Sequence, residues 1–243
     1  MLNLVPWLDR KLYPEFDNNW DDRMFREEIQ SHLRKNSTIL DYGAGRGNVE
    51  FMDFSGQCAR VCGVDPDSAV LGNPYLDDAQ VLDLASGRVP YADGNFDLIF
   101  SDNVMEHIDA PDVVLKELAR VLKPGGLLLF KTPNKYHYMP LIARITPLWF
   151  HRFYNRLRGR SEVDTFPTRY RLNSRRDIER EAGAAGFAVR RIDIIEGRPE
   201  YLRMFSPTYL LGYLYERLVN STDRLSAIRC VIFCSLVKPK EKK

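Results

Sequence analysis

The chain alternates between helical and strand-like patterns of apolar residues. From residue 17 to residue 35 apolar residues recur every three or four positions, which predicts an amphipathic helix. Short apolar runs bounded by Gly, Pro, Asp or Asn follow, and they predict buried strands. These runs cover residues 38–43, 59–65, 79–84, 96–103 and 127–133.

Helices are predicted between and after these strands. Residues 48–56 predict a short helix, and residues 109–126 predict a longer helix stopped by Pro124 and the glycines after it. The later segments predict helices over 174–187 and 206–225 and strands over 188–197 and 229–239. Strands alternating with helices predict a mostly parallel α/β sheet covered on both faces, with ligands bound beyond the carboxyl ends of the strands.

Composition narrows the class of protein only slightly. The 243 residues are 44% hydrophobic with a formal net charge of +2, as in an ordinary soluble domain. The N-terminus lacks a signal-peptide core and no segment approaches the ~20 apolar residues of a membrane span, so we expect a cytoplasmic protein. The four cysteines form two C-x3-C pairs within strand-like runs. Four residues of strand span roughly 13 Å, so we expect no metal site within either pair.

A glycine-rich loop follows the first predicted strand, in the stretch ILDYGAGRGN. Gly43, Gly45 and Gly47 allow a ligand to approach the backbone closely. No Lys-Ser or Lys-Thr follows, which excludes a P-loop. Asn48 stands where a dinucleotide-binding loop has its third glycine, which weakens an NAD site without excluding it.

Carboxylates at the strand ends indicate a different ligand. Asp41 just before the loop would repel a pyrophosphate and attract a cation. Asp65 ends the next strand, where a carboxylate can bind both hydroxyls of a ribose. Asp83 ends the third strand and could accept a hydrogen bond from an exocyclic amine. A cationic nucleoside with no phosphate fits these features, and S-adenosylmethionine is such a ligand.

Four stretches resemble motifs of the class I S-adenosylmethionine-dependent methyltransferases. They are ILDYGAGRG, VCGVDPD, VLDLASGRVPYADGNFDLIFSDNVMEHI and ELARVLKPGGLLLFKTPN, in the family's order within residues 37–131 or just beyond. The resemblance implies a Rossmann-like, doubly wound, seven-stranded sheet with an antiparallel last strand and helices on both faces. It also implies methyl transfer from S-adenosylmethionine.

The same resemblance implies roles for the residues that match its motifs. It places the backbone of Gly43, Ala44 and Gly45 near the methionine part of the cofactor. Asp41 supports the loop, Asp65 within the motif that continues to Pro66 holds the ribose, and Asn103 faces the methionine end. The residues that flank the adenine are Asp83 and Leu84.

Two histidines are candidates for a general base, which an alcohol or amine acceptor would require. His107 follows the fourth predicted strand and is the first candidate, although it could equally pack and position the loop beside Glu106. His137 follows the fifth strand at the predicted edge of the cleft and is the second candidate. A substrate-binding role, or no role, is the alternative for His137.

The stretch 133–175 is the predicted substrate-recognition insert. It carries eight arginines interleaved with aromatic residues, a mixture that suits an anionic, sugar-bearing or lipid-linked acceptor or RNA. Tyr138, Arg144 and Arg169 are therefore predicted to bind substrate, and a solvated lid with internal ion pairs is the alternative. Tyr13 is a further candidate from an N-terminal aromatic set predicted either to cap the cofactor or to cover the sheet edge. That set is Trp7, Tyr13, Phe16 and Trp20.

We expect one methyltransferase domain over residues 1–243. Its predicted parts are a helical cap (1–37), a cofactor-binding core (38–132), the insert (133–175) and the C-terminal half of the sheet (176–243). The leading hypothesis is methyl transfer to an oxygen or nitrogen of a small-molecule or glycan acceptor. An RNA or protein methyltransferase and a non-catalytic cofactor-binding partner subunit are the alternatives.

The expected partner is a small molecule or a glycan, and no nucleic acid is expected. The helix over 206–225 places Tyr209, Leu210, Tyr213, Leu214 and Leu218 on one face. This face is predicted to pack on the sheet, while a peripheral membrane contact and a homodimer remain open.

Overall fold

The computed structural model describes residues 4–145, 167–203 and 205–240 of the chain. Seven strands form one sheet in the order β3-β2-β1-β4-β5-β7-β6. The strands are β1 (Thr38–Tyr42), β2 (Arg60–Asp65), β3 (Asp78–Val81), β4 (Phe96–Asp102), β5 (Leu122–Pro133), β6 (Ala188–Ile195) and β7 (Val231–Val237).

The direction of the strands confirms the predicted sheet. β1 to β5 are parallel to one another, and β7 is antiparallel to both β5 and β6. The strand order reverses between β1 and β4, so the carboxyl ends of these two strands diverge and leave a crevice. Because β6 and β5 both oppose β7, the carboxyl end of β6 lies at the same edge as that crevice.

Six helices lie in the described part of the chain. They are α1 (Val5–Leu12), α2 (Trp20–His32), α3 (Pro111–Val121), α4 (Tyr138–Ile145), α5 (Arg175–Ala184) and α6 (Ser206–Asn220). None of them is both long and apolar enough to cross a membrane. Short 3₁₀ helices replace the predicted helix over 48–56 and follow β2 and α6.

Two predicted boundaries are wrong. α3 ends at Val121, and the Lys-Pro-Gly-Gly segment belongs to β5, because Gly125 N–H donates to Lys238 O and Lys238 N–H donates to Gly126 O, at 2.8 and 3.0 Å. β3 ends at Val81, so Asp83 lies in the following loop.

The two faces of the sheet are covered by different helices. Leu115 and Leu118 of α3 and Ile178 of α5 belong to the core on one face. Phe25 and Ile29 of α2 belong to the core on the other face. The apolar spacing of each helix therefore buries one stripe against the sheet, as expected for a doubly wound fold.

The face of α6 that packs inward differs from the predicted one. Tyr209, Gly212 and Val219 are buried, and a Cβ added at Gly212 would lie 2.4 Å from Pro199 Cβ. Four leucines instead face solvent with half or more of their surface exposed. These are Leu210, Leu211, Leu214 and Leu218. The sequence pattern was ambiguous because both faces of this helix are apolar.

The N-terminal aromatic residues do not cap the crevice. Tyr13 is 3% exposed, and its hydroxyl donates to Glu216 Oε2 of α6 at 2.8 Å. Trp20 is buried against Gly197, where an added Cβ would lie 2.5 Å from the indole ring. The alternative prediction, in which this segment covers part of the sheet, describes these contacts better.

A fully buried lysine fastens α2 to the sheet. Lys131 Nζ on β5 lies 3.0 Å from Asp21 Oδ2, 3.0 Å from Asp102 Oδ1 and in contact with Asp22 Oδ1. Asp21 and Asp22 stand in the first turn of α2, where the helix dipole also favours negative charge. The ammonium therefore neutralises charges from two elements that are distant in sequence.

We predict that Lys131→Met destabilises the fold by about 3–5 kcal/mol, because it removes the buried cation that three partly buried carboxylates share. Urea unfolding followed by circular dichroism measures the loss. Lys123→Met is the matched control, since Lys123 pairs with Asp97 at 2.8 Å through half-exposed side chains. That control is expected to cost under about 1 kcal/mol. Equal losses in the two variants would contradict the role of Lys131.

Candidate active site

A cleft of about 730 Å³ lies at the carboxyl ends of β1, β2 and β4. The glycine loop lines it, together with residues from the 102–114 segment and with Pro167 and Arg169. All nine predicted cofactor-binding residues line this cleft: Asp41, Gly43, Ala44, Gly45, Asp65, Pro66, Asp83, Leu84 and Asn103. Predicted residues that are 62 positions apart in the chain are thus brought to one cavity.

The glycine loop has a backbone path that requires glycine. Gly43 has φ +88°, and a Cβ placed there would lie 2.2 Å from Val104 Cγ2. The N–H groups of Gly43 and Ala44 both donate to Val64 O, which turns the chain away from β1. The loop therefore comes close to the wall of the cleft.

Asn73 stabilises the glycine loop through side-chain hydrogen bonds. Sequence analysis did not predict this role. Its Nδ2 donates to Ala44 O at 3.0 Å and to Gly45 O at 3.2 Å. The side chain is 8% exposed and lies in the turn that precedes β3. Its Asn-Pro pair signals a turn, but nothing local indicates which carbonyl groups it reaches.

Asp65 presents a fixed carboxylate to the cleft. Gly45 N–H donates to its Oδ2 at 3.0 Å and Asp67 N–H donates to its Oδ1 at 2.8 Å. A carboxylate has about four acceptor positions, so each oxygen can accept a further hydrogen bond. The side chain is therefore oriented to bind a pair of hydroxyls.

The cleft is acidic. Six aspartates line it, against two arginines: Asp41, Asp65, Asp67, Asp83, Asp102 and Asp109, with Arg46 and Arg169. Burial, with the nearby charges of Asp102 and Asp65, holds the pKa of Asp41 well above its usual range. Burial also raises the pKa of Asp102 to about 6, despite Lys131. A cationic ligand would relieve this crowding of negative charge.

Asn103 connects this acidic region to the end of β4. It has φ +52°, an uncommon conformation for a residue other than glycine, and its N–H donates to Lys131 O at 2.9 Å. Its Nδ2 donates to Asp102 Oδ1 at 2.9 Å. Such strain is typical of residues that a functional site holds in place.

Asp83 and Leu84 lie at the outer rim of the cleft, in the loop after β3. Asp83 Oδ1 accepts from Ala85 N–H at 2.9 Å, and Leu84 is 69% exposed. The lining also includes apolar side chains at Ile108, Val113 and Val114. This end of the cleft offers apolar surface with one carboxylate, which suits a flat base with an amino group.

His107 also lines the cleft. Its Nδ1 is 3.2 Å from Pro167 O, and because a carbonyl only accepts hydrogen bonds, Nδ1 carries the proton. The lone pair then resides on Nε2, which lies 4.0 Å from Glu106 Oε1. The predicted candidate therefore has the tautomer that a base acting through Nε2 needs.

A network of buried hydrogen bonds holds Glu106, the residue before His107. Thr132 Oγ1 donates to Glu106 Oε2 at 3.0 Å, and Asn173 Nδ2 donates to Thr132 Oγ1 at 2.7 Å. Glu106 O accepts from the N–H groups of Arg169 and Tyr170. Arg169 and Tyr170 are thus held beside Glu106 and His107. Sequence analysis did not predict these hydrogen bonds.

Only some arginines of the predicted insert lie in the described part of the chain. Arg169 lines the cleft, 3.9 Å from Asp109 Oδ1, and Arg171 approaches the same oxygen at 3.1 Å. Arg144 lies in α4, but its side chain is outside the described part, as are residues 146–166. The alternative prediction of internal ion pairs fits Arg169 and Arg171.

Three predicted residues are not brought to the cleft. Tyr13 is held by Glu216, as described above. His137 was predicted at the edge of the cleft, but it is 1% exposed and lies against Tyr138, with ring centroids 4.0 Å apart. Tyr138 packs edge to face on Tyr215. Tyr201 and Tyr215 also lie against His137 and help to bury it outside the cleft.

The sheet order and the acidic cleft at its switch point place this chain among proteins with a Rossmann-like fold. Comparison with known proteins identifies the family. Residues 19–192 match the family model described as a methyltransferase domain. The chain belongs to the class I S-adenosylmethionine-dependent methyltransferases.

Curated relatives agree at the level of the family. A probable methyltransferase, ltbC, of Aspergillus luteorubrus is 29% identical over 50% of this chain and 49% of its own length. The malonyl-[acyl-carrier protein] O-methyltransferase of Methylococcus capsulatus is 31% identical over 72% of this chain and 61% of its own length. The matched part thus spans about half to three fifths of these relatives.

Solved structures share the fold. The complex of the Haloferax volcanii Trm112 methyltransferase activator with a methyltransferase superposes with a TM-score of 0.61 at 17% identity, covering 99% and 98% of the two chains. The geranyl diphosphate C-methyltransferase of Streptomyces coelicolor, in complex with S-adenosyl-L-homocysteine, gives 0.54 at 16% identity, covering 90% and 78%. At these identities the likeness concerns the fold alone.

Proposed function

We propose that this protein transfers a methyl group from S-adenosylmethionine to an oxygen or nitrogen of a small-molecule or glycan acceptor. The observation that carries the proposal is that Asp65, the glycine loop and His107 all line a single cleft. Asp65 and the loop suit a cationic nucleoside. His107 provides a basic nitrogen for the proton of an acceptor.

The residues of the cleft fit the proposed cofactor. Asp65 would hold the ribose hydroxyls, Asp83 and Leu84 would flank the adenine, and Asp41 would favour the cationic methionine end. A pyrophosphate would instead face six aspartates, which disfavours NAD. When bound, S-adenosylmethionine supplies a methyl group that its sulfonium already activates.

His107 would act as the general base. Its proton on Nδ1 is shared with Pro167 O, so Nε2 can take the proton of an alcohol or amine. Glu106, buried and 4.0 Å from Nε2, would stabilise the imidazolium that results. This role favours acceptors that carry an O–H or N–H group.

The surface beyond the cleft favours an acceptor attached to a lipid. α6 follows β6 at the cleft edge of the sheet, and its four exposed leucines form a stripe that lies beside Arg217. The Arg217 side chain is 54% exposed. Leucines flanked by a cation suit an anionic lipid surface. We therefore propose a lipid-linked glycan presented at a membrane.

We predict that Asp65→Ala weakens S-adenosylmethionine binding by on the order of 2–4 kcal/mol, because two hydrogen bonds to a charged acceptor are lost. Isothermal titration calorimetry measures the affinity, with NAD as the competing ligand for the wild type. Asp112→Ala, which removes an exposed acid beside the cleft, is the control. Unchanged affinity in Asp65→Ala, or tighter binding of NAD, would contradict the cofactor assignment.

A panel of acceptors with labelled methyl donor tests the reaction. It contains soluble glycans, small alcohols and amines, and lipid-linked glycans in anionic vesicles, with RNA and protein as further candidates. We expect the label on an oxygen or nitrogen of the lipid-linked glycan. Leu214→Glu should lower this transfer but leave a soluble analogue unaffected, because only the former needs the α6 surface. Label on RNA or protein alone would overturn the proposal, as would bound cofactor without any transfer.

With that acceptor, His107→Gln should lower kcat by about 10²–10⁴-fold, the usual contribution of a general base. Cofactor affinity should stay within about twofold, since the wall formed by Asp65 is untouched. His32→Gln is the control, because His32 lies on α2 beside Glu28 and away from the cleft. Parallel losses of rate and cofactor affinity in His107→Gln would assign a structural role to this histidine.

A further inference from the structure

Three potential metal ligands converge outside the cleft. His137 precedes α4, Glu196 follows β6 and Cys230 precedes β7. One nitrogen, one oxygen and one sulfur atom of these residues lie within 4.8 Å of one another. His137 Nε2 and Glu196 Oε2 are 3.6 Å apart. We call these three residues the His137 cluster.

Burial makes this arrangement costly without a further partner. His137 is 1% exposed and Glu196 is 6% exposed. Within the described chain, His137 Nε2 and Glu196 Oε2 have no hydrogen-bond partner. Each buried polar atom left in this state costs about 1–3 kcal/mol.

Burial also disfavours the charged form of both groups. It lowers the pKa of His137 to about 3 and raises the pKa of Glu196 to about 8. The nearby charge of Glu216 adds to the rise and that of Arg229 opposes it. A divalent cation would reverse the effect on Glu196 and bind the neutral imidazole directly.

We propose that the His137 cluster binds a zinc ion that ties together the ends of β5, β6 and β7. Nitrogen, sulfur and carboxylate oxygen are the ligands that zinc takes in proteins, whereas calcium and magnesium prefer oxygen alone. Ligand atoms around tetrahedral zinc lie about 3.3–3.8 Å apart. The His137–Glu196 distance falls in this range, and the sulfur needs a shift of about 1 Å.

The aromatic surroundings support a structural role for the ion. Ring centroids of Tyr138, Tyr201 and Tyr215 lie 4.0, 5.8 and 5.7 Å from that of His137. These rings shield the cluster from water, which strengthens the attraction between ligands and cation. None of the three ligands lines the cleft. The proposal is therefore independent of the methyl-transfer chemistry.

Besides the shift of the sulfur, zinc binding requires an adjustment at His137. Met139 N–H approaches His137 Nδ1 at 3.4 Å, a long hydrogen bond. An imidazole bound to zinc through Nε2 carries its proton on Nδ1, so this contact must open. The loss of one long bond is small beside three metal–ligand bonds.

The full chain, purified without chelator, tests the proposal by its metal content. We expect about one zinc per chain by inductively coupled plasma mass spectrometry, and at least about tenfold weaker zinc binding in Cys230→Ser and Glu196→Gln. Cys58→Ser is the matched control, since Cys58 is also a partly buried thiol but lies outside the cluster. Equal zinc content in wild type and Cys230→Ser would overturn the site.

Cobalt gives a test that does not depend on the folding of a variant. Added to metal-free wild type, Co²⁺ should give the near-ultraviolet charge-transfer band of a cobalt–thiolate bond and raise Tm. The band should be unchanged in Cys58→Ser and absent in Cys230→Ser. Wild type without such a band has no metal site of this kind. Neither result bears on the roles of Asp65 and His107, which are tested by cofactor binding and by methyl transfer.

Discussion

One buried ammonium group determines how the N-terminal region meets the ligand-binding edge of the sheet. Lys131 draws together acids from α2 and from the end of β4, and no water reaches its side chain to replace them. A single positive charge faces three carboxylates there. The excess negative charge extends through Asp102 to Asp41 and Asp65. One ammonium group does not neutralise three carboxylates, so the cleft still favours a cation.

The cofactor half could be predicted because its determinants are local. The strands of a parallel sheet all end at the same edge. An acid or a glycine that follows an apolar run can therefore be placed at that edge from the sequence alone. Asp65 and the glycine loop needed no knowledge of packing. His107 followed by the same logic from its place after β4.

The remaining contacts depend on partners that sequence spacing does not reveal. Lys131 lies 110 residues from Asp21, and Asn173 lies 41 residues from Thr132. His137 follows a strand as His107 does, yet the antiparallel β7 and the helix α6 cover it. The direction in which α6 faces also escaped prediction, since its two sides are similarly apolar. Position at a strand end identifies the edge, but tertiary packing decides which side chains remain accessible there.

The contact between Tyr13 and α6 has a consequence for folding during translation. Tyr13 bonds to Glu216 across 203 positions, and β7 inserts between β5 and β6, which precede it in the chain. A nascent chain that has emerged as far as β5 already holds every strand of the cofactor half. The contacts that α6 and β7 make with Tyr13 and with the edge of β5 form only after those two elements have been synthesised. Until then the emerging protein exposes the apolar surface that they cover.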